Sequence, residues 1–317
     1  MDINEIAKAI KENNGELYIV GGAVRDKFLN RKSHDEDYVV VGIESNLFQE
    51  LFPNAFKRGK SFEVFDIDGK EFALARKEVK TGNKHTDFEI TANSKITIED
   101  DLARRDLTIN AIAINVLTKE IVDPFNGIND IKNKILRKTT DHFKEDPLRV
   151  YRVARFATQL GFNVDSSTLK EMSSLKSELV ELSNERIYEE LKKALLSDKP
   201  STFFNVLKNA NLLDVHFEEI YKLIGAIQPK EYHPEGDAYN HTMLVLDMAA
   251  DLTKNLNDDR KLEIRFSALV HDLGKGLTPK EEYPHHYMHE INGLDQIKRL
   301  SQRLKVPNRL LKCGLTA

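Results

Sequence analysis

Two aspartates, Asp35 and Asp37, stand at the head of an apolar run, Asp35-Glu36-Asp37-Tyr38-Val39-Val40-Val41. On a β-strand, residues i and i+2 share a face, about 6.5–7 Å apart at Cα, so these carboxylates converge while Glu36 points away. Paired carboxylates suit hard, oxygen-seeking cations such as Mg2+. Two such cations about 3.5–4 Å apart activate an attacking hydroxyl and stabilise a leaving oxyanion. An isolated Asp-x-Asp is usually surface decoration. Here it follows by nine residues the segment Gly21-Gly22-Ala23-Val24-Arg25-Asp26, itself preceded by the apolar Leu17–Val20. Glycines permit a tight turn and a close approach of backbone to ligand. The helix start behind them offers free N–H groups to phosphate, and Arg25 can hold a phosphate through two parallel bonds.

These segments resemble the first motif of the class II tRNA nucleotidyltransferases and bacterial poly(A) polymerases, within the polymerase β-like nucleotidyltransferase superfamily. The resemblance assigns Gly22 and Arg25 to a triphosphate and Asp35 and Asp37 to the metals, with Glu71 as a third carboxylate. Ala103-Arg-Arg-Asp-Leu-Thr-Ile-Asn-Ala-Ile-Ala113 resembles the second motif, which implies that Arg105 contacts nucleotide and that Asp106 lies near the sugar. Asp123-Pro-Phe-Asn-Gly127 resembles the third, with a structural or hinge role.

Glu145-Asp146-Pro147-Leu148-Arg149, followed by Arg152, resembles the motif that reads the incoming base. Pro147 fits the first turn of a helix, and Arg149 and Arg152, three apart, share a helix face. A carboxylate accepts from the amino group of cytosine or adenine, and an arginine donates to ring acceptors. Protein groups can thus present a Watson–Crick-like edge without a template. Glu185-Arg186-Ile187-Tyr188-Glu189-Glu190-Leu191 resembles a further motif that supports the neck.

A second constellation lies downstream. Asn240-His241-Thr242 and Leu269-Val270-His271-Asp272-Leu273-Gly274-Lys275-Gly276 are followed by His285, His286 and His289. Neighbouring His-Asp with further histidines on facing helices makes a mixed N/O metal site. Together with His233-Pro-Glu, the stretch resembles the HD domain of bacterial multifunctional CCA proteins. The resemblance implies a divalent transition metal on His241, His271, Asp272 and His286. It also implies phosphatase, 2′-nucleotidase and 2′,3′-cyclic phosphodiesterase activity. The likeness departs at its end, where no convincing later acidic or histidine ligand stands before Ala317.

Positioning these groups requires an α+β chain. Short β-type runs recur at Leu17–Val20, Tyr38–Val41, 63–67, Glu71–Ala75 and Phe88–Thr91, with the hairpin dipeptide Asp68-Gly69 between two of them. Ile98–Leu117 holds helix and possibly strand. From about 127 the apolar spacing becomes helical. The expected architecture is a mixed-sheet nucleotidyltransferase head over 1–126, an all-helical neck and body over 127–236 and an all-helical HD domain over 237–317. Val306–Ala317 reads as the start of another helix, so the HD domain is expected to be cut short.

The chain has 317 residues, 40% of them hydrophobic and 31% charged, a globular composition. Its net charge of −4 lacks the surplus usual for a nucleic-acid binder. Positive charge must therefore be local, as in the run Lys132, Lys134, Arg137, Lys138, Lys144, Arg149, Arg152 and Arg155. One cysteine, Cys313, and the absence of an apolar 18-residue run or signal core predict a cytoplasmic protein without a membrane span. The expected activity is addition of CCA to tRNA from CTP and ATP with Mg2+, by a monomer or homodimer. A poly(A) polymerase, a hydrolase with a nucleotide-sensing head and a non-catalytic tRNA-binding protein are the alternatives.

Overall fold

The valine run after Asp37 is buried on both faces, and it becomes a central strand rather than an edge. The computed structural model describes residues 1–32, 36–58, 64–80, 88–91 and 94–317. These divide into two compact units, Met1–Asp146 and Pro147–Ala317.

In the first unit, α1 (Ile3–Glu12), β1 (Glu16–Val20), α2 (Gly22–Phe28), β2 (Asp37–Val41) and α3 (Ser45–Leu51) lead into β3 (Phe56–Arg58), β4 (Val64–Ile67) and β5 (Lys70–Leu74). A separate hairpin, β6 (Lys77–Lys80) with β7 (Phe88–Thr91), precedes α4 (Ile98–Ala103), β8 (Ala113–Asn115) and β9 (Ile121–Val122). The main sheet has seven strands in the order β3-β4-β5-β2-β1-β8-β9. Its β2–β5 pair is parallel, and the β1–β2, β1–β8, β3–β4, β4–β5 and β8–β9 pairs are antiparallel. Asp68 and Gly69 both have positive φ, 51° and 80°, the conformation that an Asp-Gly hairpin favours.

Alternation along the strands separates two cores. On one face Tyr38, Val40, Phe65, Phe72 and Leu74 pack with Ile6 and Ile10 of α1 and Phe48 of α3. On the other, Tyr18, Val20 and Val39 pack with Ile98, Leu102 and Ala113.

Residues 127–146 group with this sheet, not with the downstream helices as the 126/127 boundary anticipated. Asp130 is buried and accepts a bond from the Thr108 hydroxyl at 2.7 Å and an ion pair from Arg137 at 3.2 Å. Gly127 packs so tightly that a Cβ there would sit 2.2 Å from the Thr108 carbonyl oxygen. These local ties hold the third motif against the second. The stretch beyond 126 is also not purely helical, since Ile135–Leu136 and Asn163–Val164 are short strands.

The second unit is helical otherwise. Its core interlocks Tyr151, Phe203, Phe204 and Phe217. Arg155, in the basic run, is buried with Glu190 as an ion pair rather than offered to solvent. Arg265, 1% exposed, donates to the carbonyls of Leu195, Ser197 and Ala250 and to the Thr253 hydroxyl, all within 3.0 Å. One guanidinium thereby satisfies orphan carbonyls at the ends of two helices. It ties the expected body to the expected HD region, and both lie in one compact unit, Pro147–Ala317.

Candidate functional site

The head site grows from strand register. Val20, the last residue of β1, pairs with Asp37, the first of β2, and Asp37 pairs in turn with Glu71 on β5. Residues directly opposite in register share a face, so Asp37 and Glu71 stand side by side. Asp66 on β4 extends the row, opposite Glu71. Arg58 lies 3.0 Å from Asp66 and 3.7 Å from Glu71. Glu36 faces the other way, accepting a hydrogen bond from the Tyr38 hydroxyl. Asp35 lies outside the described residues.

Gly21 follows Val20 with φ +71°, and its missing side chain leaves a cradle. A Cβ there would be 3.1 Å from the Arg105 guanidinium and 3.7 Å from the Asp37 carboxylate. Anion-binding and cation-binding groups thus converge over the glycine turn. Arg105 is held by Asp101, a fully buried carboxylate 3.1 Å away that also binds Arg104. Burial pushes the Asp101 carboxyl up, but the two guanidinium charges outweigh it and hold it below its usual value. Among the described residues, the buried Arg105 Nε has no partner. An orphaned buried donor beside an exposed carboxylate fits a phosphate with its cation.

Arg25 has intramolecular partners. It bonds Asp26 at 2.9 Å and Asn110 at 2.8 Å, close to Gly22. Asp106 is buried and accepts from the Leu107 N–H and the Asn110 side chain, so within the chain it orients the residue that holds Arg25. Asp101 and Asn110 are the positioning residues that the sequence reading missed. The signals were present: an acid four before Arg105 on one helical face, and an asparagine four after Asp106.

Glu145 and Asp146 close the first unit. His142 Nδ1 meets Glu145 Oε1 at 2.7 Å, while Glu145 Oε2 is buried without a partner among the described residues. His142 and Glu145 line a cavity of about 450 Å3 with Ala103, Thr140 and Asp141. Arg149 and Arg152, both half-buried, lie on the helix Arg149–Leu160, which opens the second unit, and Arg152 sits over the Phe156 ring.

The second site is made at helix ends. His241 sits in the first turn of Ala238–Leu252, His271 caps Asp258–Val270, and His289 begins His289–Arg303. Asp272, 3% exposed, is their focus. His271 Nε2 is 3.3 Å and His241 Nε2 3.8 Å from Asp272 Oδ2, and His289 Nε2 is 3.5 Å from Oδ1. Each ring's Nδ1 meets an oxygen: Glu235 Oε1 at 2.6 Å for His241, the Ala268 carbonyl at 2.9 Å for His271 and the His286 carbonyl at 2.7 Å for His289. A neutral imidazole with Nδ1–H donated this way presents a bare Nε2 lone pair. Three lone pairs around a buried carboxylate make a donor set for a divalent cation. Burial raises the Asp272 carboxyl, but hydrogen bonds and positive charge from its neighbours, Lys275 Nζ at 2.7 Å among them, hold it well below the usual carboxylate range.

His286 does not join this group. Its ring nitrogens meet the Thr278 hydroxyl at 2.8 Å and the Ile227 carbonyl at 2.9 Å. His289 occupies the place expected for it. Gly274 makes that possible, because a Cβ there would fall 1.9 Å from the His289 carbonyl oxygen.

Known proteins agree with this division of chemistry. Residues 17–137 match the family described as "Poly A polymerase head domain", 161–223 that described as "Probable RNA and SrmB-binding site of polymerase A", and 238–312 the HD domain. Among solved structures, an apo CCA-adding enzyme superposes with TM-score 0.68 at 22% identity, covering 99% of this chain and 80% of that one. The Bacillus stearothermophilus CCA-adding enzyme in complex with CTP does so with TM-score 0.63 at 23% identity, over 98% and 68%. At these identities the likeness speaks for the fold. Multifunctional CCA proteins from Mannheimia succiniciproducens and Shewanella frigidimarina are each 46% identical, over 92% of this chain and 70% of their own length. By that identity and coverage, the chain belongs to the multifunctional CCA protein family.

Proposed function

We propose that the protein builds and repairs the 3′-terminal CCA of tRNA from CTP and ATP, as a template-independent nucleotidyltransferase. The convergence of Asp37 and Arg105 over the Gly21 turn carries this reading. The 3′-hydroxyl of tRNA attacks the α-phosphorus of the nucleoside triphosphate, a new P–O bond forms, and pyrophosphate leaves. Asp35 and Asp37, with Glu71 beside Asp37 in register, are the proposed holders of Mg2+. Bound there, the cations would supply positive charge to the nucleophile and the triphosphate. Arg105, set by Asp101, binds the phosphates and gives its unpaired Nε a partner. Gly22 and Arg25 border the same turn, and Asp106 keeps Asn110 on Arg25. Glu145, Asp146, Arg149 and Arg152 are the proposed readers of the base edge.

A second activity is proposed for the helical unit, where His241, His271, Asp272 and His289 would hold a divalent transition metal. Phosphomonoester or 2′,3′-cyclic phosphate hydrolysis suits such a centre. The relatives named above are multifunctional proteins, which supports two activities in one chain.

No helix among the described residues is long and apolar enough to cross a membrane, which is in keeping with the proposed work on tRNA in the cytoplasm. The decisive experiment supplies a tRNA lacking its CCA with each nucleoside triphosphate in turn and together. Addition of C, C and A followed by arrest is expected. An unbounded A tail would make the protein a poly(A) polymerase. Phosphate release without incorporation would leave only the hydrolase.

A further inference from the structure

We propose that Glu235 is the positioning residue of the helical unit's metal centre, fixing the tautomer and direction of His241. The proposal rests on the reading of His241, His271, Asp272 and His289 as cation ligands. What distinguishes His241 is the origin of the oxygen that holds its Nδ1. His271 and His289 lean on backbone carbonyls three residues earlier in the chain, at Ala268 and His286. Those acceptors come with the backbone itself. His241 leans on a side chain, Glu235 Oε1, at 2.6 Å.

The consequence for the proton is direct. An ionised carboxylate only accepts, so the hydrogen in that contact belongs to Nδ1. His241 Nε2 is then bare, 3.8 Å from Asp272 Oδ2. Two acceptors facing each other at that distance repel, and positive charge offsets that repulsion, whether from Lys275 Nζ, 2.7 Å from the same oxygen, or from a metal cation held between them. Without the carboxylate, the ring is free to protonate Nε2 and bond Asp272 directly, which would close the site to a metal.

Glu235 is itself well fixed. Its carboxylate is 15% exposed and shares Oε1 with His233 Nδ1 at 3.1 Å. Its backbone carbonyl accepts from the Asn240 side chain at 3.2 Å. The loop around it is pinned by the Ile227–Asp237 bridge and by Gly236 donating to the His233 carbonyl at 3.1 Å. His233 and His241 pack edge to face at 4.8 Å. A carboxylate that orients a ligating histidine raises its basicity, and losing such a partner lowers metal affinity about 10–100-fold.

The test uses the full chain carrying Asp37→Ala, which suppresses cation binding in the head, titrated with Co2+ and followed by visible absorption and calorimetry. Adding Glu235→Ala is expected to weaken Co2+ binding about 10–100-fold. It should also move the His241 hydrogen off Nδ1, read by long-range 1H–15N correlation of the imidazole in the metal-free protein. Glu235→Gln keeps a carbonyl acceptor and should restore most of the affinity. His271→Ala should eliminate the Co2+ absorption. In the chain with Asp37 intact, Glu235→Ala should leave nucleotide addition unchanged, which shows that the fold survives.

Unchanged affinity and an unchanged tautomer in Glu235→Ala would overturn the proposal. So would a Glu235→Gln variant as weak as Glu235→Ala, because the carboxylate would then be a ligand and not a positioner. Failure of His271→Ala to disturb the Co2+ signal would remove the centre itself, and the role of Glu235 with it.

Discussion

The two sites of this protein gather similar chemical groups by opposite means. In the head, carboxylates stand in the open on adjacent strands, and the arginine facing them is set by a buried acid one helical turn away. In the helical unit the carboxylate is buried, and the groups around it come from three helix ends spread over about fifty residues. Sheet register offers a flat row with room for a large, highly charged ligand. Helix ends offer a closed knot suited to one cation and a small phosphate. Openness preserves the hydration of acidic groups, so Asp37 and Glu71 need no ion to be tolerated. Burial makes Asp272 depend on its partners.

The largest expected effect separates the two sites. Asp37→Ala should lower nucleotide incorporation by more than about 100-fold, beyond the loss of an outer partner of a metal ligand, and leave metal-dependent phosphate release intact. His271→Ala should do the reverse. If either substitution removes both activities, assayed side by side on the same preparations, the sites are not independent.

Asp101→Asn sharpens the head's part of the comparison. It frees Arg105 from its anchor, and a misplacement of about 1 Å can cost on the order of 10²-fold. Single-turnover incorporation of CTP should fall by about that factor, and a change under threefold would deny Arg105 its role. Next come the ion pairs. Glu190→Ala removes the carboxylate that pairs with the buried Arg155 and should cost about 3–5 kcal/mol in urea unfolding. Arg58→Ala touches a pair whose arginine is 54% exposed, and it should cost about 1 kcal/mol or less. Equal losses would contradict the contrast between open and buried charge.

The smallest effect is one of pH. Burial, with Arg303 nearby, pushes the His216 ring down from 6.5 to about 4, and its Nδ1 pairs with the Tyr151 hydroxyl at 2.6 Å. Between those two values the unfolded chain takes up a proton that the folded chain refuses. The stability contributed by neutral His216 is therefore complete above pH 6.5 and declines toward pH 4. Asp272 loses its contribution only at lower pH, because its folded value lies below the ordinary carboxylate range. Urea midpoints measured at pH 7 and pH 5 should converge in His216→Asn relative to the unaltered chain.

Much of the head was readable from the chain because its signals are local. Asp68-Gly69 marks a hairpin, and the apolar run after Asp37 marks a strand. The three-residue strand Ala113–Asn115 and the two-residue strand Ile121–Val122 were not readable, since runs that short carry no period. Asp101 was passed over because its role depends on being fully buried, which composition does not state. His286 and His289 both stand near the His-Asp pair in sequence, and the fold turns His289 toward Asp272 where the left-handed Met288 at φ 56° precedes it and Gly274 passes tightly against its carbonyl.

By itself the sequence determined which groups were available and how near neighbours combine, because strand pleat, helix pitch and turn chemistry act over a few residues. It settled that Asp37 begins a buried strand, that a glycine turn precedes it, and that His271 and Asp272 stand together. Tertiary structure alone decided that Arg105 and Asp37 both border Gly21, that Arg155 is structural, and that Glu235 holds His241. Those pairings join segments whose separation along the chain carries no distance information. They exist because close packing leaves each side chain few places to go.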